Sequence, residues 1–527
     1  MYGIAGCVGL ETGGLDETVL RRMARQVSQR GSDGEDVVVH GQVGLVRPIR
    51  SADGRYLLAY EGELYNEPEL LAGLEQDGST GQPELVLAAW AKWGAAALDR
   101  LNGRFALAVL DAATGELTLA RDPVGCAPLY LAADGSGRVA FASEVRAVLA
   151  AGLVPRRPDG LTVHRYLTLG VHDDTERTFF DRVTRLLPGE LAVISPAGRV
   201  RRETYTRLFR ELDFLAAARR PVSAAAREQV GEEVDAAVQR RMASEAPVGT
   251  ALTGEPDLHR LADDLPDLIR SQQEPVGSPA AYADYFLMRE TSRQVSVLLD
   301  RSRASELVIE HLRGLNRPPT SHRPRRRATP APEPAELLAP DFAAAHRHAT
   351  GPVAGESSQR STEDLFRHRL PALLRCQDRH GVRFSVRRRE PYLDPHLLRT
   401  LWSLDAAALR SVASDLLPPP APRPPEAWPA SLTDLAEELF GSESFGARPY
   451  VDQSAVLTAY RAGSLDPALG WRLLNLELWL REFVDRDPTL PPASTFVDHY
   501  PRPAPVAKPT GTLPPPTDDL ITVDAGA

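Results

Sequence analysis

Lysine is almost missing from these 527 residues: Lys92 and Lys508 are the only two, so the remaining positive charge is arginine. A guanidinium stays protonated in proteins and serves as neither acid nor base. Any chemistry that needs a lysine between Gly94 and Ala507 is therefore excluded. Cysteine is as sparse: Cys7, Cys126 and Cys376 are too few and too far apart for a disulfide framework or a zinc site. Aromatic residues make up 6 %, and no apolar run approaches the roughly 18 to 20 residues of a membrane span. The start, Met1-Tyr2-Gly3-Ile4-Ala5-Gly6, lacks the basic-then-apolar order of a signal peptide, so a soluble protein of the reducing cytoplasm is expected. The 12 histidines form no H-x-x-x-H pair beside acidic residues, and no metal site is expected.

The net charge of -10 gives a field that does not draw in nucleic acid or an acidic membrane. One local basic cluster, Arg323 with Arg325, Arg326 and Arg327, has no interleaved aromatics and reads as a solvated loop. The length is that of two or three domains. Over 3–150, short β-rich runs (3–8, 56–60, 104–110, 117–121, 138–141) alternate with helical periodicity at 16–28 and 84–93, separated by turn signals such as Asp53-Gly54 and Thr114-Gly115. A hairpin over 190–203 closes this α+β domain. From Ser223 the period changes to long helices (224–241, 258–270, 362–375, 471–483), with strands convincing only at 248–252 and 294–299. The segments 313–360 and 416–429 read as loops, and the Pro-rich tail from 485 reads as disordered because it has few large apolar residues to pack.

Several strings occur in an order that resembles the glutamine-hydrolysing asparagine synthetase family. They include Gly3-Ile4-Ala5-Gly6, Gln29-Arg30-Gly31-Ser32-Asp33, Gly62-Glu63-Leu64-Tyr65-Asn66, Leu101-Asn102-Gly103-Arg104-Phe105-Ala106 and Ala142-Ser143-Glu144. Asp378-Arg379 after Leu370-Pro371, Pro391-Tyr392-Leu393-Asp394 and Leu476-Glu477-Leu478-Trp479-Leu480 extend the likeness through the second half. The resemblance implies a class II glutamine amidotransferase domain over 1–205, an α+β four-layer sandwich of the N-terminal-nucleophile-hydrolase type. It also implies a mainly helical α/β synthetase-like domain over 220–484 with a reduced parallel sheet, and leaves a tail over 485–527.

The same resemblance places departures at the chemistry. Where the family has an N-terminal Cys nucleophile, Tyr2 stands, and a phenol with a pKa near 10 is a poor one. Cys7 is expected to be a buried packing thiol. The family's oxyanion pair, Asn-Gly, corresponds to Glu61-Gly62, and a carboxylate repels the charge it should stabilise. The Asp that holds the substrate amine corresponds to Gln82, and Arg47 aligns with the Arg that clamps the substrate carboxylate, although a framework arginine is the plainer reading of Arg47. Arg47, Gly62 and Gln82 are thus the expected remains of a glutamine site.

For the second half the resemblance implies ATP and magnesium, held by Ser-Gly-Gly-Leu-Asp-Ser-Ser after a strand. This chain has Thr253-Gly254-Glu255-Pro256-Asp257-Leu258-His259, in which an acid is added and a donor removed. The family's second loop leaves only Glu306, its Glu before Arg-x-Pro-Phe-Leu-Asp corresponds to Arg387, and its late lysine has no counterpart. Gly254, Asp257 and Glu306 are the expected remains of a nucleotide site, and no cofactor is expected to bind. The function expected is that of a pseudoenzyme retained for binding or regulation. An active amidotransferase or amide-forming ligase with relocated residues is one alternative, and a structural partner of an active paralogue, as homodimer or heterodimer, is the other.

Overall fold

The computed structural model describes residues 3–9, 16–31, 36–76, 81–219, 224–242, 248–253, 256–300, 304, 307–308, 311–312, 332–347, 362–405, 430–486 and 521–524. Tyr2, Gly254, Glu255 and Glu306, the arginine cluster at 323–327 and the segment 416–429 lie outside the described residues.

The strands in chain order are β1 (Ala5–Val8), β2 (Val37–His40), β3 (Val43–Val46), β4 (Ile49–Arg50), β5 (Tyr56–Leu64), β6 (Gly103–Asp111), β7 (Leu117–Arg121), β8 (Tyr130–Ala133), β9 (Val139–Ala142), β10 (Val183–Arg185), β11 (Glu190–Ile194) and β12 (Val200–Thr204). They form two six-stranded sheets, β10-β8-β9-β1-β3-β2 and β12-β11-β7-β6-β5-β4. Alternation along β1 shows how the layers arise. Ala5 and Cys7 pack with the helices Glu17–Val27 and Val145–Ala150 on one side. Ile4 and Val8 pack between the sheets against Leu57, Ala106 and Leu119. Gly6 lies on that inner face because a Cβ there would stand 2.6 Å from the Gly44 carbonyl.

On the far side of the second sheet, Leu58, Phe105 and Leu107 pack against the helices Glu67–Leu74 and Gln82–Trp93. The order is helix, sheet, sheet, helix, the four-layer fold expected, with β1 inside its sheet between β9 and β3. Cys7 is fully buried, and burial pushes its thiol up to about 12, so it is a packing residue.

The second half holds β13 (Val248–Thr253), β14 (Val297–Leu299), β15 (Arg387–Arg389) and β16 (Ile521–Asp524) in a parallel sheet of order β15-β14-β13-β16. Helices surround it, among them Leu261–Gln272, Ala280–Thr291, Leu370–Phe384 and Pro467–Leu480. Three expectations are corrected here. Two further strands join the two expected, and one of them, β16, lies in the tail that was read as disordered; backbone pairing to β13 supplies there what sparse apolar side chains do not. Within 313–360, Pro334–Leu337 makes a turn and Pro340–His346 a helix, because Phe342 is buried against His164 and Tyr450. Among the described residues, no helix is long and apolar enough to cross a membrane.

Candidate functional site

Glu61 and Glu63 are two apart on β5 and so share one face of the strand. Both carboxylates are buried, and each meets arginine. Glu61 accepts from Arg30 Nη1 at 2.5 Å through Oε1 and from the Ser143 hydroxyl through Oε2. Ser143 Oγ in turn accepts from the backbone N–H of Ile4 at 3.1 Å, which ties this pair to the start of the chain's first strand.

Arg30 is the hub. It ends the turn Ser28–Arg30 after the first helix, and its guanidinium donates to Glu61, to Glu144 at 2.5 Å and to both oxygens of Asp378. Arg104 donates to Asp378 at 2.8 Å, and Arg379 and Gln273 donate to Glu144. Three guanidinium groups thus face three carboxylates in a neutral cluster, with Arg146 3.9 Å from Glu144 at its rim. Asp378, Arg379 and Gln273 belong to the second domain, so the cluster joins the two halves.

Burial alone would lower the Arg30 pKa and raise those of Glu144 and Asp378. The opposite charges prevail, holding Arg30 well above its ordinary value and both acids below theirs. Such a cluster is an arrangement of charge already satisfied, in which no carboxylate is a poised base.

Glu63 is used in the same way. Arg387 Nη1 donates to it at 3.0 Å, and Arg389 grips both oxygens at 3.0 and 3.1 Å. Between them, Arg388 points oppositely, to Asp300 at 3.1 Å and Asp284 at 2.5 Å. The residue that stands for the family's acid, Arg387, is therefore a strap between the sheets of the two domains.

The structure places the expected glutamine-site residues on three different elements. Gln82 opens the helix Gln82–Trp93, and its amide is committed: Oε1 accepts from Leu64 N at 2.9 Å, while Nε2 donates to Leu64 O at 3.2 Å and Glu67 at 2.6 Å. Arg47 sits after β3 at a φ of 49°, and its Nη1 lies 3.4 Å from the Gly31 carbonyl. Gly62 lies on β5 opposite Phe105, where a Cβ would run into the Arg104 carbonyl.

Of the expected nucleotide-site residues, only Asp257 is among those described. It is exposed, and its carboxylate accepts from His259 N at 3.0 Å to cap the turn Leu258–Arg260. One capping carboxylate does not fit a magnesium–nucleotide site. Among the described residues, no group of three or more His, Cys, Asp or Glu could hold a metal.

One constellation was not singled out in the sequence. Cys376 Sγ stands 3.9 to 4.0 Å from His380, one helical turn on, and His380 Nδ1 lies 2.8 Å from Asp284. His380 is fully buried, and neither cavity at the domain interface is lined by it or by Cys376. Asp284 is already paired with Arg388.

The geometry defines an amidotransferase-type layered domain joined through buried charge to a synthetase-type domain. Residues 1–206 match the family described as glutamine amidotransferase domain, and residues 259–481 match asparagine synthase. The chain belongs to the glutamine-hydrolysing asparagine synthetase family. Among curated relatives, a putative asparagine synthetase [glutamine-hydrolyzing] of Mycobacterium tuberculosis is 42 % identical over 112 residues, 20 % of this chain and 17 % of its own length. Asparagine synthetase [glutamine-hydrolyzing] 1 of Bacillus subtilis is 24 % identical over 361 residues, 55 % of each chain. The matched stretches thus span about half of such relatives or less. Among solved structures, glutamine phosphoribosylpyrophosphate amidotransferase from B. subtilis, complexed with ADP and GMP, aligns with 20 % identity and a TM-score of 0.28, over 47 % of this chain and 60 % of that one.

Proposed function

We propose that this chain is a catalytically silent member of its family, kept for binding or regulation, with glutamine hydrolysis and ATP-dependent amide formation both lost. The observation that carries the reading is the commitment of Glu61. The position aligned with an oxyanion donor holds a carboxylate, fixed by Arg30 and Ser143 inside a cluster that also takes Asp378 of the other domain. A carboxylate held there has no N–H to donate to a developing oxyanion. Tyr2 in place of a thiol, and the lysine-free stretch from Gly94 to Ala507, support the same reading. A second copy, or an active paralogue, is the class of partner proposed.

The competing reading, an active ligase with relocated residues, is favoured by family membership alone. ATP–pyrophosphate exchange with the purified chain separates them. Silence predicts no exchange above a no-enzyme blank with any proteinogenic amino acid as acceptor, and exchange dependent on the chain would overturn it.

A further inference from the structure

Beside the Arg30 cluster, between the two domains, lies a cavity of about 40 Å³. Its wall takes Tyr65, Arg104 and Cys126 from the first domain and Arg241, Gln377 and Glu390 from the second. It shares the lining residues Leu101, Asn102, Pro123 and Pro395 with a cleft of about 730 Å³. Room for about three water-sized groups is what such a volume offers.

The cationic groups of the wall come from both domains, Arg104 from the first and Arg241 and Arg388 from the second. Among the acceptors, Asp378 is gripped by Arg30 and Arg104, while Asn102 Oδ1 and Gln377 Oε1 are buried without a hydrogen-bond partner. Their orientation is fixed, since Asn102 Nδ2 donates to Asp394 at 3.1 Å and Gln377 Nε2 to Asp300 at 3.2 Å.

Donors, by contrast, remain. Arg104 uses Nη2 on Asp378, and Arg241 uses Nη1 on Ala237 O and Asp394. Among the described residues, Arg104 Nη1 and Arg241 Nη2 carry no hydrogen bond and are not sealed in protein, and the same holds for the Tyr65 hydroxyl and the Glu390 carboxyl. Arg241 lies over the Tyr65 ring at 4.3 Å, which places these two groups side by side. Burial is the first cause that raises the pKa values of Tyr65, Cys126 and Glu390 above their ordinary ranges, a direction that favours the protonated, hydrogen-donating form of each.

We propose that this interdomain cavity binds a small oxyanion of three or four heavy atoms, of the formate, acetate or bicarbonate class, through Arg104, Arg241, Tyr65 and Glu390. The donor set suits a planar carboxylate, whose two oxygens take guanidinium N–H groups together with one or two O–H donors. A tetrahedral anion such as sulfate exceeds the space. This site rests on no catalytic step and is independent of the silence proposed above.

Calorimetric titration of the full-length protein with sodium formate and sodium acetate, against sodium sulfate at matched ionic strength, tests it. Saturable binding of formate or acetate is expected at millimolar concentrations, with none for sulfate. Tyr65→Phe and Glu390→Met remove groups that bond to no other described residue, so both variants should fold, and each should weaken the carboxylate about tenfold. Equal heats with sulfate, no saturable carboxylate binding, or undiminished affinity in both variants would overturn the proposal.

Discussion

Arg30 shows how one residue can close a site. Five N–H donors in a fixed fork meet three carboxylates that come from β5, from the start of the helix Val145–Ala150 and from the helix Leu370–Phe384. Removing it leaves Glu61, Glu144 and Asp378 buried with fewer partners. Arg30→Met should therefore destabilise the chain by about 3–5 kcal/mol, read as a lower urea midpoint at unchanged slope. Tyr2→Cys should yield no ammonia from glutamine, because the Glu61 carboxylate, held by Arg30 and Ser143, offers no donor at the oxyanion position; ammonia release by that single variant would show this argument to be wrong. At this scale the sequence was informative about identities and silent about partners. Arg30, Glu144, Asp378 and Arg379 all sit in strings that carry the family likeness, yet Arg30 and Asp378 are 348 residues apart and nothing local pairs them. The cap made by Asp257 is a contact within three residues, whereas the commitment of Gln82 to Leu64 required the strand and helix to be placed first.

Among the elements, β15 is one that pattern reading could not find. Three successive arginines offer no apolar alternation, yet Arg387–Arg389 is a strand because Glu63 receives the outer two and Asp284 and Asp300 receive the middle one. The hairpin β2–β3, with strands of four residues each, was not expected either. The long elements were readable: the helix Ala224–Met242 and the strand Leu117–Arg121 follow their periodicities closely.

A titration belongs to the helix Leu370–Phe384. Burial would lower the His380 pKa, but Cys376 and Asp284 raise it to about 9. A raised folded-state value means that its contribution is full below the unfolded value of about 6.5 and is lost as pH rises through about 9. Stability should decline over that window by on the order of 2–3 kcal/mol, and His380→Gln should flatten the decline in urea melts run at successive pH values.

For the whole molecule, buried charge lies between the domains beside an apolar contact in which Phe179 and Phe180 meet Trp479. Besides the Arg30 cluster and the Glu63 strap, Asp173 is held by Arg185 and Arg375, Glu274 accepts from Arg185 at 3.1 Å, and Asp394 accepts from Asn102, Arg240 and Arg241. Burial acts to raise the pKa values of Glu63, Glu144, Asp378 and Asp394, and their arginines lower them below ordinary values. The stability they contribute is present above about pH 4 and lost as pH falls below it. On acidification the two domains should therefore part and unfold together, with the near-ultraviolet signals of Trp90 in the first domain and Trp479 in the second falling in one transition. Two separate transitions would show that the ion pairs do not couple the halves. The two-domain plan and the layered first domain were readable from the order of strings and periods, while the charged seam was not, because arginine and carboxylate at an interface look in sequence like an exposed face.

Catalytic silence is tested most directly by steady-state ammonia release from glutamine by the purified full-length chain, with and without Mg-ATP and aspartate. No release above a no-enzyme blank is expected under either condition, since Glu61 stays locked to Arg30 and Ser143. Glutamine-dependent ammonia release that scales with protein concentration and exceeds one equivalent per chain would contradict it.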